Sequence, residues 1–140
     1  YQSELVTKLK RHGVTQKVLF TGPLNGRMKL AALSVADIFV LSSYSEGFSV
    51  AVLEAMACGL PVIGTSVPGI KNLITDESNG LISELTPGKL ATNIKRLLTD
   101  TELQQRLGRE ARKRIVEHHS ASTVAAKEAS ILAEMAERQP

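Results

Sequence analysis

Glu46 and Glu54 stand in an E-x7-E spacing in a chain of 140 residues, the first in a polar stretch beside Gly47 and the second inside an apolar run. Gly47 lets a backbone come close to a ligand. The residues after it, Phe48, Ser49 and Val50, fall where a helix begins, so their amides lack intrahelical acceptors and sit at the positive end of the helix dipole. An anion such as a phosphate fits there. Glu54 lies within the first turns of that helix, among Val52, Leu53, Ala55, Met56 and Ala57. A carboxylate in such company is costly unless it is hydrogen-bonded, and the vicinal hydroxyls of a ribose offer two donors to its two oxygens. The plainer alternative is a solvated loop glutamate and a helix glutamate that points outward, since consecutive helix positions face different ways. Spacing alone leaves both open.

The elements that must hold these residues follow from hydrophobic pattern. Val18 to Phe20 reads as a buried strand closed by Thr21-Gly22-Pro23; Ile38 to Leu41, Pro61 to Gly64 and Gly80 to Ile82 read as further strands. Between them, Met28 to Val35 and Val50 to Cys58 are helical in character, the latter stopping at Gly59, and Ile70 to Ile74 spans one or two helical turns. An amphipathic helix carrying Leu5, Val6 and Leu9 opens the chain from Tyr1 to His12 and stops at Gly13. From Thr86 onward everything is helical: Pro87 to Leu98, Thr101 to His118, and a last helix from Ser120 or Ser122 to Arg138. Short continuous apolar strands alternating with helices define an α/β class, a doubly wound parallel sheet covered on both faces, here as one domain over residues 1–140. Ligands of such sheets bind beyond the carboxyl ends of the strands, which directs attention to Thr21 to Asn25, Ser42 to Ser49 and Thr65 to Gly69.

Composition excludes several classes. A single cysteine, Cys58, permits no internal disulfide and no cysteine-built zinc site, and its place beside Gly59 suits a small buried thiol. The net charge of +3 is spread along the chain, and with no Trp, two Tyr and three Phe there are few platforms for stacking bases, so no nucleic-acid partner is expected. No apolar run approaches the roughly 20 residues of a membrane-spanning helix. The opening YQSELVTKLKRHG is not a signal peptide, which sets the expected location as cytoplasmic, with a peripheral place at the membrane as the alternative. His12, His118 and His119 fall at helix ends, where they would complement the terminal carbonyls. Arg106, Arg109 and Lys113 form a stripe opposite Leu103, Leu107, Ala111 and Ile115; a solvated surface is the plain reading, with membrane lipid or an anionic acceptor as the lesser alternative.

The string SSYSEGFSVAVLEAMACGLPVIGTSVPGI, Ser42 to Ile70, resembles the donor-binding core of the retaining GT-B glycosyltransferases known as glycosyl transferases group 1, whose hallmark is E-x7-E. VLFTGPLNG (Val18 to Gly26), SVADIFVLSS (Ser34 to Ser43), NGLISE (Asn79 to Glu84) and Leu107 to Ser120 are similar to other segments of that family, so the likeness covers nearly the whole chain. It implies a Rossmann-like donor domain, the C-terminal half of a GT-B enzyme. Glu54 would bind the ribose of a nucleoside-diphosphate sugar such as a UDP- or GDP-sugar, and Glu46 would contact the donor sugar as the catalytic-side carboxylate. Backbone groups of Gly47, Phe48, Ser49 and Val50 would meet diphosphate and sugar, and Gly22, Pro23 and Leu24 the base. The resemblance also implies no essential metal or other cofactor, because cationic side chains and helix amides neutralise the leaving group.

The family's diphosphate-clamping Arg and Lys lie on and after an earlier strand, with no counterpart before Val18, and its acceptor-binding N-terminal domain has no match here. Together with Tyr1 in place of Met, this sets the expectation of an N-terminally truncated piece that holds half a site and is inactive alone. Asn72 stands where many relatives carry an acidic residue. The expected whole is a hexosyltransferase that moves a sugar to an acceptor hydroxyl in polysaccharide, glycolipid or related glycoconjugate synthesis. Its expected partners are the donor, the missing N-terminal domain and an acceptor that could lie at a membrane surface. The competing reading is a Rossmann-like regulatory or partner-binding module without donor affinity. A receiver-like signalling domain is disfavoured, as no acidic cluster follows the early strands.

Overall fold

The computed structural model describes residues 2–137. Its centre is a parallel sheet of three strands, β1 (Phe39–Leu41), β2 (Val62–Thr65) and β3 (Leu81–Ser83), adjacent in that order. Phe39 lies opposite Val62, and Ile63 opposite Leu81. Around it run α1 (Gln2–Arg11), α2 (Gly26–Val35), α3 (Val50–Ala57), α4 (Pro68–Lys71), α5 (Pro87–Thr99), α6 (Thr101–His119) and α7 (Ala121–Glu137). The sequence-based helices are reproduced with ends shifted by a residue or two, except that α4 ends at Lys71, three residues before the expected Ile74; Tyr1 and Arg138, the outer ends expected for the first and last helices, lie outside the described residues.

β2 explains why the core strands read as unbroken apolar runs. All of its residues are buried, and the period of two along a strand sends successive side chains to opposite faces. Val62 joins Val52, Ala55 and Met56 of α3 and Ile70 of α4, whereas Ile63 joins Leu97 of α5 and Leu103 and Leu107 of α6. Both faces are therefore covered, as a doubly wound sheet requires. Each fully buried Leu or Met in these clusters contributes roughly 1.5–3 kcal/mol relative to exposure. The helices start where side chains can cap them: Thr86 Oγ1 accepts from the Lys89 amide ahead of Pro87, and an Asp100 carboxylate oxygen accepts from the Leu103 amide at 2.9 Å. α6 crosses the end of α3 at Gly108, where a Cβ would collide with the Gly59 carbonyl, so no larger residue permits this approach.

The loop between α4 and β3 is held from inside and outside. Asn79, almost fully buried, accepts from the Thr75 amide at 2.7 Å and donates to the Leu73 carbonyl at 3.1 Å. Outside, Glu77 sits in the left-handed region at φ 62° and takes both guanidinium nitrogens of Arg96, while Arg106 donates to its carbonyl at 3.1 Å.

The strand expected at Val18 to Phe20 is a correction. These residues pair with no strand and are exposed, Leu19 at 85%. A run of three apolar residues becomes a strand only where another strand's edge accepts its ladder, and here β1 pairs only with β2 and β3 only with β2. Local pattern carries no information on that long-range partner.

Candidate functional site

The site lies beyond the carboxyl ends of β1 and β2. β1 delivers the chain into Ser42 to Ser49, and α3 begins at Val50 with Ser49 as its N-cap residue. The first intrahelical bond runs from the Leu53 amide to the Ser49 carbonyl at 3.2 Å, so the amides of Val50, Ala51 and Val52 precede it. Ser49 is buried, yet its side chain makes no capping bond to them. The amides of Val50 and Ala51, both exposed residues, are thus left without an intrahelical acceptor at the positive end of α3, while Val52 is buried.

Glu46 is held by two hydrogen bonds, one of them braced from β2. Ser43 donates to its Oε1 at 2.8 Å, and Ser43 is itself fixed by Thr65 of β2, whose hydroxyl donates to the Ser43 carbonyl at 2.6 Å. On the other side the Gly69 amide of α4 donates to the Glu46 carbonyl at 3.1 Å. A Cβ at Gly69 would meet the Glu46 and Gly47 carbonyls, so this contact requires glycine. The loop is therefore stapled at both ends to β2 and α4, while Gly47 itself has open space on its Cβ side. Phe48 and Val50 are exposed, and the Phe48 ring lies against His119 of α6, centroids 6.2 Å apart at 54°.

Glu54 projects from α3 toward α2, not into bulk solvent. Lys29 of α2 donates to its Oε1 at 2.6 Å. The pair lines a cleft of about 310 Å³ with Gly26, Leu30, Leu33, Ala57 and Cys58, a volume in the range of small-molecule sites. Gly22, Pro23 and Leu24 occupy the loop just before α2; Leu24 is half-buried, Gly22 and Pro23 are exposed, and none of the three lines the cleft. The structure thus joins Glu46, Gly47, Phe48, Ser49, Val50 and Glu54 in one loop-helix unit and places the residues expected at the base one loop away.

Of three positioning groups, Lys29 escaped the sequence reading, while Ser43 and Gly69 lie in the loops it singled out but carried no assigned role. Ser43-x-x-Glu46 has the spacing that lets a short hydroxyl reach a carboxylate within one turn, a signal of the capping-box kind. Lys29 and Gly69 act across 25 and 23 residues, and nothing local marks them. Among the histidines, His119 departs from the expected role at a helix end: burial, with Arg114, His118 and Lys127 nearby, lowers its pKa below the ordinary 6.5 and favours the neutral ring. Among the described residues no cluster of His, Cys, Asp or Glu is arranged to hold a metal ion, and no helix is long and apolar enough to cross a membrane.

The parallel α/β fold is that of the C-terminal domains of the GT-B glycosyltransferases. The chain belongs to the family described as "Glycosyl transferases group 1", whose profile matches residues 1–114. N-acetyl-alpha-D-glucosaminyl L-malate synthase of Bacillus anthracis is 38% identical over 111 residues, which cover 78% of this chain and 28% of that enzyme. Among solved structures, the C-terminal domain of the Francisella tularensis group 1 protein LpcC superposes with a TM-score of 0.77 at 25% identity, covering 86% of this chain and 63% of that one. Anabaena HepE, solved in complex with UDP, shares the fold with a TM-score of 0.88 at 24% identity, over 96% of this chain and 37% of its own. The chain spans well under half the length of the curated relatives it matches.

Proposed function

We propose that this domain binds a nucleoside-diphosphate sugar across the strand ends and, in the intact enzyme, transfers the sugar to an acceptor hydroxyl with retention of anomeric configuration. The observation that carries the reading is one rigid unit: a loop stapled by Thr65, Ser43 and Gly69 presents Glu46, and the helix it opens presents free amides and then Glu54. The spacing that was ambiguous in sequence becomes an ordered series of an acidic group, an anion site and a second acidic group. These match sugar, diphosphate and ribose in turn.

In this reading the α3 amides take up charge on the β-phosphate as the anomeric carbon–oxygen bond breaks and the nucleoside diphosphate leaves with the electron pair. The acceptor oxygen forms its new bond on the same face of the sugar, and its proton passes to the departing phosphate. Glu46 orients the sugar and supports the oxocarbenium-like centre between the two events. Further cations for the diphosphate, and the acceptor site, are assigned to parts of the enzyme outside this segment. HepE, which shares this fold, has been solved in complex with UDP, and that supports a nucleoside-diphosphate donor. UDP- or GDP-sugars are the proposed donors and a glycoconjugate or polysaccharide hydroxyl the acceptor, without an essential metal.

The test is turnover of the full-length form with radiolabelled UDP- and GDP-sugars. Glu46→Gln is expected to lower kcat at least 100-fold, of the order of losing an electrostatic stabiliser, and the product linkage read by NMR should keep the donor's anomeric configuration. Full turnover by Glu46→Ala, or an inverted product, contradicts the proposal.

A further inference from the structure

The ion pair between Lys29 and Glu54 lies within the cleft and has no part in the reaction described above. Its side chains are 40% and 34% exposed, so water screens the attraction and the pair adds little to folding. Its geometry is nevertheless tight, with Nζ 2.6 Å from Oε1. Among the described residues Oε2 has no donor.

We infer that Lys29 is a positioning residue of the nucleoside subsite: by occupying Oε1 it fixes the Glu54 carboxylate so that Oε2 and the remaining lone pairs are presented to a ribose diol. This rests on the ribose reading of Glu54 and adds to it a second residue and a selectivity. A free glutamate at this point would rotate about its terminal torsion and lose entropy on accepting two hydroxyls. Held by a charge-assisted bond, it has lost that freedom before the ligand arrives. The ammonium also offsets the carboxylate's repulsion of a diphosphate bound at the start of the same helix. Two of the three Nζ protons remain to donate to a hydroxyl or a base carbonyl.

The test measures binding of UDP, GDP and ADP to the full-length form by calorimetry, then compares the nucleotide that binds with its 2′,3′-dideoxy analogue. Lys29→Met keeps the reach and helix propensity of lysine, and Lys29→Gln serves as a second variant if the first does not fold. The expected result is about tenfold weaker binding of the ribonucleotide, the scale of one charge-assisted hydrogen bond. Binding of the dideoxy analogue should be unchanged, Lys29→Arg should restore most of the loss, and in turnover the donor KM should rise with kcat kept. Equal weakening of both nucleotides, or none in either variant while Glu54→Gln is impaired, overturns the role of Lys29 and leaves the ribose reading standing. If Glu54→Gln binds as the wild type does, or no nucleotide binds, both fall.

Discussion

The amide of Gly69 donates to the carbonyl of Glu46 at 3.1 Å, and the approach is close enough that a single methyl group on residue 69 would strike that carbonyl and the next. The obstacle is backbone, which cannot rotate away. Gly69→Ala is therefore expected to displace the Glu46 loop, to cost about 1–3 kcal/mol in denaturant unfolding, and to abolish sugar transfer. Gly88→Ala in the first turn of α5, where a Cβ meets nothing within 4 Å, should be neutral or stabilise by about 0.5 kcal/mol. Equal effects of the two substitutions would remove the steric argument.

Ser43 tests the same loop from its other side. Ser43→Ala deletes the donor to Glu46 Oε1 while leaving the Thr65 bond to the Ser43 carbonyl intact. A fall in kcat of about tenfold is expected, the value of one hydrogen bond to a charged group, with the melting temperature changed by only a few degrees. Ser43→Thr, which keeps the hydroxyl, should recover most of the rate.

How far the site was legible in sequence depends on the range of the interactions that build it. The turn at Gly47, the start of α3 and the spacing of Glu46 and Glu54 are local, and reading them required only helix-end physics and a family likeness. β2 announced itself because both of its faces are buried. Val18 to Phe20 has the same composition as a buried strand but no ladder partner, and residue type alone cannot tell the two cases apart. Lys29 is a half-exposed lysine on a mostly exposed helix and looks like a solvated one until α2 is seen beside α3. Gly69 follows Pro68 and suggests a turn, whereas its necessity comes from a loop 22 residues earlier.

The clamp on the α4–β3 loop carries a pH signature. The hydrogen bond from Arg96, and then its charge, lower the Glu77 pKa below the ordinary 4.5, so the folded state releases this proton more readily than the unfolded chain. The stabilisation is present above pH 4.5 and is lost as pH falls through the lowered folded value. Because the pair is about half exposed, Arg96→Gln should cost only about 0.5 kcal/mol at neutral pH, and the difference from wild type should vanish in acid. A constant difference across a urea-melt series from pH 7 to about pH 2 would contradict this.

His119 gives the opposite group with the same sense. Burial, with the Phe48 ring packed beside it, and then the nearby cations, depress its pKa below 6.5. The unfolded chain therefore binds its proton first as pH falls, and stability drops from about pH 6.5 downward until the folded pKa is passed. Its ring-proton NMR titration should show a midpoint below the ordinary 6.5, and Phe48→Ala, which opens the ring to water, should move the midpoint up. A midpoint unmoved by Phe48→Ala would assign the depression to Arg114 and its neighbours instead.

The most direct measurement of the central claim is an amide-resolved NMR titration with UDP, GDP and ADP, run on the wild type and on Glu54→Gln. The account predicts that one nucleotide shifts the amides of Gly47 to Val52 together with that of Glu54, and that Glu54→Gln weakens this binding about tenfold or more while the spectrum of the sheet is unchanged. Saturating nucleotide that leaves Gly47 to Val52 unperturbed, or that perturbs them equally in Glu54→Gln, would contradict it.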